Sequence, residues 1–334
     1  MSCTVAVVGA TGLVGRAMLR ILEERAFPAE RVRALASPRS VGTRLPFRGA
    51  ELEVEEACDA NFEGVHIALF SAGAGPSRSL APAAAARGAV VIDNSSAWRM
   101  DDAVPLVVPE VNPEAAHVRP RGIIANPNCS TIQMVVALKP LHDLATIEHI
   151  VVSTYQAASG KGQDAVADLE AQLRTLARGE RPVPTVFPGP LAGNLLCDWK
   201  AGAEDYSEEE LKMVNETRKI LGDASLGVSP TTVRVPVVTG HSESVFVRFA
   251  RPLGAPEAKD ALRRAPGVTL LDEPYAPGRH PQPIDCAGRD DVFVGRVRED
   301  LAVKGALNLW IVSDNLRKGA ALNAVQIAEL LVAR

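Results

Sequence analysis

Residues 4–22 read TVAVVGATGLVGRAMLRIL. The first five are a short apolar run rich in β-branched side chains, the pattern of a buried strand. GATGLVG follows with Gly9, Gly12 and Gly15, and then Val14, Met18, Ile21 and Leu22 recur at helical spacing. Strand, glycine turn and helix in this order open a βαβ unit. Further strands are predicted at VRALAS (32–37), HIALFSA (66–72), AVVID (89–93), PLVVPEV (105–111) and GIIA (122–125), with helical or loop segments between them. That alternation implies a mostly parallel, doubly wound sheet.

After about residue 147 the pattern changes. EHIVVSTYQ reads as a strand, followed by a helical stretch near 161–178 and a Pro- and Gly-rich irregular segment, RPVPTVFPGPLAGN (181–194). A polar helix begins at YSEEELKMVNETRKIL, where Ser207 and Glu210 form a capping box. The strands TTVRVPVV, ESVFVRFAR, VFVGRVRED and LNLWIVS then come in runs, which points to an antiparallel or mixed sheet in an α+β second domain. The last segment, NLRKGAALNAVQIAELLVAR, reads as an amphipathic helix.

The bulk numbers exclude several classes. A chain of 334 residues exceeds what one core usually carries. Net charge is −4, so no polybasic nucleic-acid or membrane surface is expected. No apolar run is long enough to span a bilayer, and the N-terminus has no secretory pattern. Five scattered cysteines (Cys3, Cys58, Cys129, Cys197, Cys286) without a C-x-x-C pair favour a reducing, cytoplasmic setting and no metal site. One of them is then a candidate catalyst.

The glycine turn is spaced G-x-x-G-x-x-G, and it can bring backbone N–H groups and the positive end of a helix to a pyrophosphate. The segment after the second strand, ALASPRSVG, holds Ser37, Arg39 and Ser40 and no acid. A cation in place of the usual ribose-binding acid favours NADP over NAD. In NPNCSTIQM (126–134), Cys129 precedes a helical pattern for which Ser130 or Thr131 is a plausible cap. A thiol at a helix N-terminus is more easily ionised. Its best proton partner by sequence is His241, between two strands in RVPVVTGHSES. A dinucleotide, a nucleophilic thiol and a histidine together point to aldehyde oxidation or acyl reduction through a thioester.

With these motifs the chain resembles the aspartate-β-semialdehyde dehydrogenase family over nearly its whole length. The resemblance rests on GATGLVG (9–15), SPRS (37–40), DNSSAWR (93–99), PLVVPEVN (105–112), NPNCST (126–131), STYQAASG (153–160), RVPVVTGHSES (234–244) and SDNLRKGAA (313–321). It implies α/β architecture: an N-terminal doubly wound Rossmann-type domain with an α+β catalytic and dimerisation domain of mixed sheet. The NADP-binding domain would comprise 1–127 plus 315–334, and the catalytic domain 128–314. The implied reaction is NADPH-dependent reduction of L-4-aspartyl phosphate to L-aspartate 4-semialdehyde with release of phosphate, on the route to lysine, methionine and threonine.

Site roles follow from the same resemblance. Cys129 would form the thioester, His241 would be the general acid/base, and Gln156 would hold the substrate near the thiol. Arg234 matches the arginine on the substrate α-carboxylate, and Arg99 and Lys212 match the cations on the phosphate. Glu209 would face the substrate amino group, and Asn128 would line the phosphate site. Gly9, Thr11, Gly12, Leu13, Val14 and Gly15, with Ser37, Arg39 and Ser40, match the cofactor phosphate segments. Ser159, Gly160 and Asn315 match nicotinamide-side contacts. A homodimer built through the second domain is implied. The segment 189–206 departs from the family pattern, notably at Gly193, Trp199 and Lys200. The alternatives kept open are N-acetyl-γ-glutamyl-phosphate reductase, another acyl-phosphate or acyl-CoA reductase of the same architecture, and a binding protein that has lost catalysis.

Overall fold

The computed structural model describes residues 3–197, 200–272 and 279–332. Trp199, one of the divergent positions, lies outside them. The chain divides into two compact units, Met1–Asn128 with Ala320–Arg334, and Cys129–Gly319.

The first unit opens as the glycine pattern predicts. Strand β1 (Thr4–Val8) runs into helix α1 (Leu13–Glu24). Gly15 has no room for a side chain, because a Cβ there would lie 2.2 Å from the Gly9 carbonyl oxygen. The turn and the helix therefore pack backbone to backbone. Strands β2 (Arg31–Ala36), β3 (Arg44–Phe47), β4 (Ala50–Glu56) and β5 (Ile67–Phe70) follow. Helix α2 (Ala74–Ala86) and strands β6 (Val90–Asp93) and β7 (Ile123–Ala125) complete the run. The sheet order is β3-β4-β2-β1-β5-β6-β7, with β3 alone antiparallel. Strands β1, β5, β6 and β7 are almost wholly buried, as the middle of a sheet covered by helices requires.

One predicted strand is absent. PLVVPEV makes a single parallel bridge, Leu106 to Ala125, and no ladder. Pro105 and Pro109 have no N–H to donate, so the run is buried and apolar without extending the sheet. Asn112 stabilises it instead, donating to Leu106 O at 2.9 Å and accepting from Val108 N–H at 2.9 Å.

The second unit starts with α3 (Cys129–Ala145), β8 (Ile147–Gln156), α4 (Gln163–Ala177) and β9 (Leu196–Cys197). It continues with α5 (Glu208–Leu221), β10 (Gly227–Arg234), β11 (His241–Phe249), α6 (Ala255–Arg264) and β12 (Val268–Leu270). Then come α7 (Pro283–Cys286), β13 (Val292–Glu299) and β14 (Leu307–Ser313). The sheet is mixed, in order β12-β13-β14-β11-β8-β10-β9, with β8 and β10 parallel and β11 antiparallel to both β8 and β14. Helix α3 packs on one face of β8, β11, β13 and β14.

The Pro-rich segment is irregular, as read, but α4 holds it down. Asp168 accepts the backbone N–H groups of Thr185, Val186 and Phe187, and Gln172 Oε1 those of Leu191 and Ala192. At Gly193 the backbone turns with φ +73, a left-handed conformation that glycine adopts readily and a larger side chain would disfavour. The predicted capping box is present: Glu210 N–H donates to Ser207 Oγ at 3.2 Å and Ser207 N–H to Glu210 Oε2 at 2.8 Å. After β14 a π-helical turn, Arg317–Ala321, leads into α8 (Leu322–Val332) of the first unit. There Ala321, Leu322, Val325 and Ala328 are fully buried in the core shared with β1, α1 and β5. Among the described residues no helix is long and apolar enough to cross a membrane.

Candidate active site

In the second unit, β8, β10 and β14 finish at the end of the sheet where β11 begins, pairing Arg234 with Gln156 and His241 with Ser313. Four elements thus deliver side chains to one place. The residue after β8 fastens two of them: Ala157 N–H donates to His241 Nδ1 at 3.0 Å, and Ala157 O accepts from Arg234 Nη1 at 2.6 Å. Gln156 fastens two more. Its Nε2 donates to Ser130 Oγ at 2.7 Å, beside Cys129, and to Glu209 Oε1 at 3.2 Å on α5. His241, Gln156, Arg234 and Glu209 are all buried.

Cys129 is half-buried and is the first residue of α3, a 17-residue helix with no acid in its first turn. The positive end of the helix dipole favours a thiolate there. The expected cap by Ser130 or Thr131 is not formed, because the helix starts at Cys129 and both residues lie inside its first turn. Ser130 serves instead as the acceptor for Gln156. Glu209 and Lys212, one turn apart on α5, form an ion pair at 2.9 Å.

Ala158 and Ser159 N–H groups bond to Val237 and Val238 carbonyls, closing the 3-10 turn Ala158–Lys161 over the strand ends. Asn315 Oδ1 accepts from Gly240 N–H at 2.9 Å, and its Nδ2 donates to Ser159 Oγ at 2.9 Å. A side chain at Gly160 would lie 3.0 Å from Arg234 Nη1 and 3.3 Å from His241 Nε2. Gly160 therefore keeps space open above both.

His241 is wholly buried, and its pKa is pushed down from 6.5 to about 3. Burial is the main cause, the Arg234 guanidinium adds to it, and Glu209 opposes it. Its Nε2 has no hydrogen-bond partner among the described residues.

The first unit holds the other predicted residues. Gly12 caps α1 without a side-chain bond, and the first turn carries no acid, which suits a diphosphate. Gly9, Leu13, Val14 and Gly15 form this turn, and Thr11 Oγ1 lies 3.5 Å from Ser40 Oγ. Ser37 and Arg39 are exposed at the 3-10 turn after β2, and that segment itself, Leu35 to Ser40, carries no acid. Arg99 is held by two carbonyls, Nε to Asn126 O and Nη2 to Asn94 O, both at 2.9 Å. Asn128 is buried at the end of this unit.

Three contributors escaped the sequence reading. Ala157 acts through its peptide group and Ser130 through its hydroxyl. Gly319 acts through the side chain it lacks, since a Cβ there would lie 2.9 Å from Cys129 Cβ. A glycine in SDNLRKGAA, one turn past the assigned Asn315, was the available signal.

Residues 4–118 match the family model described as semialdehyde dehydrogenase, NAD binding domain, and residues 138–318 match semialdehyde dehydrogenase, dimerisation domain. The aspartate-semialdehyde dehydrogenase of Aquifex aeolicus is 53% identical over 99% of this chain and 98% of its own length. The aspartate semialdehyde dehydrogenase II of Vibrio cholerae, solved in complex with ASA, superimposes with a TM-score of 0.96 at 47% identity, covering 99% of this chain and 98% of that one. The Candida albicans aspartate semialdehyde dehydrogenase, solved with NADP, gives 0.78 at 27% identity over 100% and 99% of the two chains. On this full-length similarity, the chain belongs to the aspartate-semialdehyde dehydrogenase family.

Proposed function

We propose that this chain reduces L-4-aspartyl phosphate to L-aspartate 4-semialdehyde, with release of phosphate, through a thioester on Cys129. The observation that carries the proposal is the clamp at the end of β8, where Gln156 and Ala157 tie Ser130, Glu209, Arg234 and His241 together. A thiol at a helix start, a histidine, a guanidinium and a carboxylate are the groups an amino-acid acyl phosphate requires. Arg234 reads the α-carboxylate, and Glu209 reads the amino group. Cys129 attacks because a thiolate both adds to an acyl carbon and leaves it readily. Arg99, Asn128 and Lys212 take the phosphate.

The cofactor proposed is NADP. The N-terminal turn of α1 would take its diphosphate, Thr11, Ser37, Arg39 and Ser40 its 2′-phosphate side, and Ser159, Gly160 and Asn315 its nicotinamide side. Fit is supported by the uncapped, acid-free start of α1 and by the exposed Arg39 where an NAD site would place an acid. When bound, the cofactor supplies the hydride that reduces the thioester.

The second unit leaves one sheet face with Val151, Tyr155, Val233, Phe246 and Trp310 partly or largely exposed, and the Tyr155 and Trp310 rings pair at 5.4 Å. We assign this apolar face to a homodimer contact.

The test is NADP reduction by L-aspartate 4-semialdehyde with and without phosphate, beside N-acetyl-glutamate semialdehyde. Phosphate-dependent reduction with the aspartyl substrate alone is expected. Activity only with the acetylated substrate would overturn the assignment of Glu209 and the substrate while keeping Cys129.

A further inference from the structure

Strands β6 and β7 run parallel and end together, with Asp93 paired to Ala125. Asn126 N–H donates to Asp93 O at 2.8 Å, so the ladder runs one residue past the strands. Asn94 and Asn126 therefore stand side by side at the carboxyl end of a parallel sheet, the end at which open α/β sheets bind ligands. Arg99 closes on this pair, because the two carbonyls it bonds, Asn126 O and Asn94 O, belong to these same residues. Their side chains are joined as well, Asn126 Nδ2 donating to Asn94 Oδ1 at 2.7 Å.

The pair is held from the C-terminal helix. Asn323 on α8 has no exposed surface, and its Nδ2 donates to Asn126 Oδ1 at 2.6 Å and to Val107 O at 3.0 Å. Asn126 is equally buried, and its Nδ2 also donates to Ala320 O at 3.2 Å. A main-chain carbonyl can only accept. Val107 O therefore fixes which way the Asn323 amide points, and Ala320 O does the same for Asn126. Reversing either amide would set oxygen against oxygen where no water compensates. The row Asn323, Asn126, Asn94 thus has one polarity and one geometry, and it ends at the residues that hold Arg99.

We propose that Asn323 is a positioning residue for the phosphate site: it holds Asn126, and through Asn126 it sets the two carbonyls that orient Arg99. This rests on the function proposed above, in which Arg99 takes the phosphate. With Nε and Nη2 both bonded to carbonyls, the plane of the guanidinium follows from where Asn94 O and Asn126 O stand. A two-point contact of guanidinium with phosphate depends on that plane. Asn323 acts only through Arg99. Its loss should therefore weaken the use of phosphate and leave the amino-acid substrate and the dinucleotide unaffected.

The experiment runs the reaction in the oxidative direction, where phosphate is a substrate. For wild type, Asn323→Ala, Arg99→Ala and the double variant, kcat/KM is measured for phosphate and for L-aspartate 4-semialdehyde, and NADP binding by fluorescence titration. Urea unfolding of each protein records the stability lost separately. In Asn323→Ala, kcat/KM for phosphate is expected to fall about tenfold, with the other two constants within about twofold of wild type. In the Arg99→Ala background the same substitution should change phosphate use by less than about twofold, because the group it acts through is gone. Equal losses for all three ligands, or a tenfold loss repeated without Arg99, would show a merely structural role and overturn the proposal. If Asn323→Ala does not fold, Asn323→Ser, which keeps one donor, decides by the same comparison. Wild-type protein that oxidises the aldehyde with no dependence on phosphate, or not at all, refutes the proposed function. Phosphate-dependent wild type with an unselective Asn323 variant refutes this inference only.

Discussion

Gly319→Ala adds one methyl group beside the nucleophile, and the structure sets the size of the effect. The new Cβ would stand 2.9 Å from Cys129 Cβ, 3.4 Å from Cys129 Cα and 3.6 Å from Asn315 Cβ. Carbon atoms pack at about 3.5–4.0 Å, so the shortest contact is too close by about 0.6 Å or more. Rotation about χ1 moves Sγ but not Cβ, so no side-chain rearrangement relieves it. Backbone must shift, and both sides are tethered. Gly319 N–H donates to Asp314 O at 3.1 Å, Arg317 pairs with Asp290 at 2.7 Å, and the first turn of α3 is tied through Ser130 to Gln156. Gly319 does not have positive φ, so alanine carries no conformational penalty there.

Overpacking of this kind costs about 1–3 kcal/mol, offset by about 0.5–1 kcal/mol from replacing glycine within a helical turn. The net loss of stability is therefore small. Activity is more sensitive, since a displacement of about 1 Å can cost about 100-fold, and half of that displacement predicts roughly tenfold in kcat. The assay combines kcat, Cys129 alkylation and urea unfolding in Gly319→Ala, Cys129→Gly and the double variant. Removing Cys129 Cβ should relieve the clash, with a coupling energy of about 1 kcal/mol between the two sites. A kcat within about twofold of wild type and no coupling would refute the packing argument.

Cys129→Ala should abolish turnover while NADP binding, read by fluorescence titration, persists; residual turnover would remove Cys129 from its role. Arg234→Lys keeps the charge but loses the fork, and kcat/KM should fall roughly 10- to 100-fold through the amino-acid substrate. The buried His241 binds no proton until about pH 3 when folded but does so near 6.5 when unfolded, so its contribution is full above 6.5 and is lost as pH falls toward 3. Relative to wild type, His241→Gln should therefore lose less stability on acidification, by about 1.4 kcal/mol per pH unit in that window. Glu243 behaves in the opposite sense. Burial holds its pKa well above 4.5, against an opposing Gln133 hydrogen bond, so its stabilisation is complete below 4.5 and declines as pH rises. Urea unfolding at rising pH should show Glu243→Gln gaining on wild type, and parallel curves would mean the carboxyl is not held neutral.

What could be read from the sequence depended on whether the relevant signal was local. The opening strand, glycine turn and helix were legible because five apolar residues, three glycines and a helical stripe adjoin one another. The capping box of α5 was legible for the same reason. The β3–β4 hairpin was not assigned, because RLPF is a four-residue edge strand and AELEVEE beside it carries four glutamates, so the pair resembles a polar loop. PLVVPEV failed in the other direction. Its apolar content mimics a strand, and only its two prolines reveal that it cannot pair.

The site divides along the same line. Cys129 announced itself by standing before a helix, and His241 by its place between two strands. Gln156, Glu209 and Arg234 are 53 or more residues apart in two of their three pairings, and only the family resemblance singled them out. Their meeting depends on the parallel register of β8 and β10 and on α5 packing beside them. Least legible were the groups that act without a distinctive side chain. The Ala157 peptide chooses the tautomer of His241, and no residue type at 157 would have disclosed it. Gly160 and Gly319 contribute space, one beside the histidine and one beside the thiol. Such roles become visible only when the distance to what a side chain would have struck is known, which is why Gly319 is tested by adding a methyl group rather than by removing a functional one.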